Sequence, residues 1–488
     1  MDTKKTIAFL QEFWSRVILP RLQQFIEIPS LSQEFDKDWI KTGAIFKALM
    51  LMFDFATYLG PRGVKCRLIQ SDKRTPILYI EIPGQTDKTV LLYGHADKQP
   101  ESEGWSEEKG LGPWTPKILN DDGVQKLYGR GGVDDGYSLF TAIAAIRALE
   151  EQNIPHARCV ILIEAGEESG SPDLPAYLEE LKGEIGDVSL IVALDSGAGS
   201  YDRLWLTNSL RGIAMGTLKV RVLNKESHSG HAGGIVPSSF RIARALLERI
   251  EDAQTGNFLL QEIRDDDLIT DERKKAVEEA ASAMDPDCFR KEFTWSGNTF
   301  PDDCNEPPEL LWKQTLGPAL EVIGANGIPP TNGAGNVVRE CTDLKLSFRI
   351  PPHVDPQVAI KAIEEALTRD VPDSATVSFE DTLAMPGWMA PELSLWLAGS
   401  LERASQEHFG NPFVQYGIGG AIPFMALLGK MYPKAEFVIT GAAGPESNAH
   451  GPDECLNIPY AIRLTAAISM VLADHATHHT ALESPHSV

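Results

Sequence analysis

Three short apolar runs in this chain each end on residues that bind protons or metals. KTVLLYGHAD ends at His95, CVILIEAGEE at Glu167-Glu168, and SLIVALDS at Asp195. Apolar runs of this length, bounded by turn residues, read as buried strands. Between the runs lie SLFTAIAAIRALEEQ and PDLPAYLEELK, which carry helical spacing. Strand, helix, strand, helix, strand specifies an α/β unit, a mostly parallel sheet flanked by helices. Such sheets collect ligands at the carboxyl ends of their strands. His95, Glu167 and Asp195 all fall just past those ends.

The remaining chain fits around this unit. Residues 3–28 carry apolar positions at helical spacing up to Pro29, and a second helix covers about 38–59, ending at Gly60-Pro61. ILYIEIPG and KTVLLYGHAD read as two strands joined by a short turn, and residues 99–127 as a surface loop beside the site. From about Arg211 the composition shifts. MGTLKVRVL, TDLKLSFRI and ATVSFED are strands, and PSSFRIARALLERIED and PQVAIKAIEEALTR are helices. They form a smaller α+β unit, 211–384, inserted between two parts of the first domain, 1–210 and 385–488. The acidic stretch 255–310 matches no role. A loose tail is expected after about residue 476.

Lys and Arg number 45 against 69 Asp and Glu, a net charge of −24. That balance repels nucleic acid and anionic lipid, so neither is expected as a partner. The six cysteines form no CxxC pair, which removes cysteine zinc sites and fits a reducing compartment. MDTKKTIAFLQEFW turns polar too early for a signal-peptide core, and no apolar run is long enough to span a bilayer. A cytoplasmic location is the expectation. G-x-S-x-G, G-x-G-x-x-G, P-loop and H-E-x-x-H patterns are all absent.

Two further motifs, GRGGVDD with Asp134 and SNAHGPDE with His450, complete a set of nitrogen and oxygen donors. Two divalent ions sharing a carboxylate and a water would use them fully. His95 and Asp195 take one ion, Glu168 and His450 the other, and Asp134 bridges. Three carboxylates and a hydroxide then balance the four positive charges. Taken singly, each residue has a plainer reading. An Asp after a strand is more often a turn or a helix cap, and a lone His more often bonds a backbone group. Their joint occurrence, in order and flanked by glycines, is what sets these readings aside.

Taken together, YGHADKQP, LYGRGGVDDG, EAGEESGS, SHSGHAGG, GGAIP and HGPDE make the chain resemble a known family over nearly its whole length. This is the di-zinc peptidase and deacylase family of carnosinases, glutamate carboxypeptidases, aminoacylases and succinyl-diaminopimelate desuccinylase. The carnosinase-type dipeptidase branch is the nearest. The resemblance implies two zinc ions, with manganese or cobalt also suited to these donors. It implies that Asp97 orients His95, that Glu167 is the general base, and that a cis peptide joins Asp134 and Asp135. It implies that the inserted unit is a lid and dimerisation domain, whose His228 reaches the partner's site in a homodimer to stabilise the oxyanion. His231 stands close by in sequence, which leaves the choice between them open. Arg349 resembles the lid arginine that grips a substrate carboxylate, or is a strand salt bridge. Gly419 and Gly420 offer backbone NH groups to that carboxylate, or form a plain turn. One departure is Gly136-Tyr137, where the family often has Lys-Gly.

The reaction implied is hydrolysis of a dipeptide or short peptide with a free carboxylate, by metal-bound hydroxide with Glu167 moving the proton. An N-acyl amino acid deacylase on the same metals is the alternative substrate reading, and an inactive metal-binding relative the non-enzymatic one.

Overall fold

The computed structural model describes residues 1–71, 73–301, 306–420 and 422–483. At its centre is a six-stranded sheet in the spatial order Lys65–Ile69, Ile77–Ile82, Ala157–Glu164, Thr86–His95, Val188–Ala193, Glu436–Ile439. Ile77–Ile82 pairs antiparallel with both its neighbours and the other pairings are parallel, so five of the six strands run the same way. Period-two alternation divides the strands between two cores. Ile80, Leu92, Ile161 and Val192 pack under the terminal helices and Ser138–Glu150, while Tyr79, Leu91, Leu162 and Ile191 pack under Leu174–Ile185 and Pro423–Met431. Burial on both faces is why these strands read as unbroken apolar runs.

The two strands expected to follow one another across a short turn do so, yet they are not neighbours. Ala157–Glu164 lies between them and pairs with both. The turn crosses the start of that strand, where Gln85 N–H donates to the His156 carbonyl at 2.8 Å. Only glycine fits at 84, because a Cβ there would strike the Ala157 and Arg158 backbone.

The first helix is interrupted. Thr3–Phe13 widens into a π turn, Trp14–Ile18, before Leu19–Ile26. Pro20 explains it: the ring donates no hydrogen bond and crowds the carbonyl four residues back, so the coil expands there. The 99–127 stretch is more ordered than a loop. Lys117–Asp121 and Val124–Tyr128 form a hairpin, and Cys455–Asn457 adds a third strand to it. The tail also differs from expectation. Helix Ile458–Glu483 runs through the stretch expected to be loose, and Trp396 supplies the surface, with His475, His478 and His479 centred 5.7, 5.2 and 6.4 Å from its ring. Residues 484–488 lie outside the described residues.

The second unit is a four-stranded antiparallel sheet, in the order Ala319–Asn326, Cys341–Ile350, Gly212–Arg221, Thr376–Met385. Helices Ser239–Leu247 and Pro356–Thr368 cover one face through Ile242, Leu246, Ile363 and Leu367. The edge strand Ala319–Asn326 was not expected; Val322 and Ile323 are exposed, so no core-facing alternation marks it. Trp388-Met389, directly after this unit, pairs with Ser209 and Leu210, directly before it. Entry and exit of the chain therefore lie side by side. No helix among the described residues is long and apolar enough to cross a membrane.

Helix Leu395–Phe409 buries His408, and neither ring nitrogen finds a hydrogen-bond partner among the described residues. Burial lowers this imidazole to about 4 from its usual 6.5. The unfolded chain therefore takes up the proton first, and stability present above pH 6.5 is lost as pH falls toward 4. The loss reaches at most about 3 kcal/mol. Urea unfolding at stepped pH should show this slope, and His408→Leu should flatten it; an unchanged slope would contradict the assignment.

Candidate metal centre

Loops at the carboxyl edge of the central sheet hold the site. His95 is the last residue of strand Thr86–His95, Glu167 and Glu168 open a short turn after Ala157–Glu164, and Asp195 follows Val188–Ala193. His450 lies in the loop after Glu436–Ile439. Asp134 sits in the Gly132–Gly136 turn that leads into helix Ser138–Glu150, and its peptide bond to Asp135 is cis.

These side chains converge. His95 Nε2 lies 3.2 Å from Asp134 Oδ1 and 3.8 Å from Asp195 Oδ1. His450 Nε2 lies 2.7 Å from Asp134 Oδ2 and 3.3 Å from Glu168 Oε2. The two oxygens of Asp134 thus face one imidazole each. Ligand atoms of His95, Asp134 and Glu168 lie within 4.8 Å of one another, as do those of His95, Asp135 and Asp195. The donor set, imidazole nitrogen and carboxylate oxygen around one shared carboxylate, fits a pair of divalent cations.

Electrostatics point the same way. Burial pushes Glu168 up to about 8, with Asp134 adding to it, and Asp195 up to about 6 against the pull of His95. Burial, then Asp195, raises Glu167 well above the usual carboxylate range. Burial acts to lower His450, but the Asp134 carboxylate and then Glu168 overcome it and lift the imidazole to about 9. Burial opposes ionisation of Asp134 too, yet hydrogen bonds from His450 and His95 hold it low. So many acids sharing so little space need positive charge, and the protein supplies only two imidazoles.

The Asp97 carboxylate lies 3.5 Å from His95 Nδ1, whose closer partner is the Asp97 carbonyl at 3.0 Å. That carboxylate accepts the Glu167 and Glu168 N–H groups at 3.2 and 3.0 Å. It therefore anchors the paired-acid turn as well as the imidazole. The Glu167 side chain is half-buried, faces the cavity, and has no hydrogen-bond partner among the described residues.

The cavity, about 440 Å³, is lined by Asp134, Glu167, Glu168, Asp195 and His450, and by Gly419 and Gly420 on another wall. His228 and Arg349 are not in its lining. His228 is exposed in the short strand Ser227–His228, its Nδ1 accepting from Gly230 N–H at 3.1 Å, and His231 is exposed too. Arg349 is partly buried, with no hydrogen bond or ion pair among the described residues. It lies close enough to Arg211 to lower that guanidinium, after burial, to about 10. Arg211 itself donates to the Gly419 and Gly317 carbonyls, each at 3.0 Å.

Several supporting residues escaped the sequence reading. Asp135 Oδ2 accepts the His95 N–H at 3.2 Å, and Gln99 Nε2 donates to Glu168 Oε2 at 2.8 Å. A fully buried Arg130–Glu454 pair, 2.6 Å apart, ties the two outer loops together. Arg130 donates to the His450 and Gly451 carbonyls, each at 3.0 Å, and Glu454 accepts from Gly131 N–H at 2.9 Å. Both stood in quoted motifs, GRGG and HGPDE, but nothing in one sequence pairs them. Tyr137, the departure noted above, is buried; its hydroxyl donates to the Leu194 carbonyl and accepts from Ala442 N–H. It links the Asp195 loop to the one before His450. Gly136 leaves no room for a side chain, since a Cβ would meet Phe25 and the Gly131 carbonyl.

The sequence pattern of peptidase family M20/M25/M40 matches residues 91–474. A cysteinylglycine-S-conjugate dipeptidase of Corynebacterium striatum is 26% identical over 400 residues, 79% of this chain and 81% of the relative. The human Beta-Ala-His dipeptidase is 28% identical over 399 residues, 78% of this chain and 74% of the relative. The solved structure of the di-peptidase Dug1p from Saccharomyces cerevisiae shares the fold, with a TM-score of 0.76 at 19% identity over 99% of each chain. With its donor residues inside the matched span, the chain belongs to peptidase family M20/M25/M40.

Proposed function

We propose that this protein is a two-metal dipeptidase acting on dipeptides or short peptides with a free carboxylate. The observation that carries the reading is the single Asp134 carboxylate set between two imidazoles, each with a further acid beside it. His95 and Asp195 would hold one cation, His450 and Glu168 the other, and Asp134 both. Zinc is the expected metal, and manganese or cobalt also suits these donors. When bound, such a pair polarises a carbonyl and lowers the pKa of water. Dipeptidase relatives support the peptide reading over the N-acyl alternative.

Glu167 is the general base. Its carboxylate opens on the cavity with no hydrogen-bond partner among the described residues, and burial, then Asp195, raises its proton affinity, which favours taking a proton from water. It takes the proton of the attacking water and passes it to the leaving amine. Asp97 keeps Glu167 in place by holding its N–H.

Arg349 is the carboxylate clamp. A half-buried guanidinium with no partner among the described residues is costly unless something anionic arrives, and its planar fork suits a carboxylate. Arg211 fixes the Gly419 turn through that residue's carbonyl, which presents Gly419 and Gly420 to the same end of the substrate.

A homodimer supports the place of His228. That side chain is exposed and outside the cavity, while the same unit exposes Ile235, Phe240, Ile328 and the edge strand with Val322 and Ile323. Such a surface suits a second copy, and the partner would bring His228 to the oxyanion. Five cysteines, free among the described residues, support a reducing compartment, the cytoplasm.

Glu167→Gln should leave metal content unchanged while dipeptide turnover falls by about 10²–10⁴; undiminished turnover in the metal-loaded variant would rule out the base. His228→Ala and Glu167→Gln should each be nearly inactive alone. Mixed and refolded in equal amounts they should recover roughly a quarter of wild-type activity, because half the dimers carry one intact site. No recovery in confirmed mixed dimers would exclude a histidine acting across subunits.

A further inference from the structure

The acidic stretch 255–310 had no role in the sequence reading. The structure folds part of it into the wall of the catalytic cavity: Met284, Cys288, Phe289 and Glu292 line it, the last three from helix Cys288–Glu292. Five carboxylates line this cavity: Asp134, Glu167, Glu168, Asp195 and Glu292. Three belong to the proposed metal ligands and Glu167 to proton transfer. Glu292 alone is left without a task. It has no hydrogen bond and no ion pair among the described residues, and the cavity lining contains no Lys or Arg.

Its position matters as much as its charge. Glu292 lies toward the His450 loop, close enough for Glu446 to act on it. Arg349, with no hydrogen bond or ion pair among the described residues, lies near Arg211, which in turn donates to the Gly419 carbonyl at 3.0 Å. Glu292 thus brings negative charge to the same cavity that Asp134, Glu168, Asp195 and His450 line, while Arg349 stands outside that lining. A dipeptide at neutral pH carries an ammonium at one end, the charge that an unpaired carboxylate in the lining would receive. The volume, about 440 Å³, is within the range for a small ligand.

We propose that Glu292 receives the free ammonium of the substrate's amino terminus and so restricts the site to peptides whose amino group is uncapped. This rests on the dipeptidase reading and deepens it. An ammonium against a half-exposed carboxylate makes a charge-assisted hydrogen bond. A neutral acyl cap in the same place makes none, and shields an unpaired carboxylate from water. Met284 and Phe289 give the neighbouring wall an apolar surface for the first side chain.

The test compares kcat/KM for a dipeptide and for its N-acetyl form, using metal-loaded wild type, Glu292→Gln, Glu292→Asp and Glu292→Lys. Wild type should prefer the free peptide. Glu292→Gln should lose about tenfold to a hundredfold on the free peptide, chiefly in KM, with the acetylated peptide unaffected. Glu292→Asp should recover part of the loss, and Glu292→Lys should favour a peptide with an N-succinyl cap. Equal losses on both substrates, or no loss on the free peptide, would overturn the inference while leaving the dipeptidase standing. A metal-loaded wild type that cleaves neither substrate would overturn both.

Discussion

Everything in this molecule turns on one carboxylate shared by two imidazoles. Asp134 presents one oxygen to His95 and the other to His450. Around it Glu168, Asp195 and Asp135 crowd into a buried space, where like charges raise one another's proton affinity. Such an arrangement is unfavourable on its own terms. It persists because the surrounding fold over-determines it, and it becomes favourable once cations occupy the space between the donors.

The over-determination is specific. Asp97 holds the Glu167-Glu168 turn by both backbone N–H groups. Arg130 and Glu454, fully buried, bind the Asp134 loop to the His450 loop. Tyr137 joins the Asp195 loop to the segment before His450. Each contact links two strand ends that would otherwise be free to drift, and a metal site tolerates little drift in its ligands. At the position of the family's lysine stands Gly136, where a Cβ would meet Phe25 and the Gly131 carbonyl, and Tyr137 stands at the position of the family's glycine.

In the proposed reading, substrate recognition would draw on the second unit and on the stretch beside it. The cavity is lined by the proposed base and all the proposed ligands but His95, while Arg349, the proposed clamp for a substrate carboxylate, lies on the neighbouring sheet and His228 is exposed. The chain enters and leaves the second unit through paired neighbouring strands, while Ala280, Ala281, Phe289 and Leu311 of the stretch beside it pack into the larger core. Helix Cys288–Glu292 adds a wall that carries charge of the opposite sign.

The sequence by itself determined the central sheet and the donors, because both are local properties. Apolar runs of strand length, separated by helical spacing, demand a buried sheet, and a polar residue just past each run must project from its edge. It also carried the motifs that mark the family. What it did not contain was pairing. Ala157–Glu164 between two consecutive strands, Arg130 against Glu454, Tyr137 against Leu194 and Ala442, and Glu292 in the cavity all join residues remote in the chain. The exposed edge strand Ala319–Asn326 left no periodic trace, since neither face is buried enough to enforce one. Only tertiary structure decides such contacts: their residues satisfy one another in space, and no rule of spacing along the backbone records which buried charge will meet which.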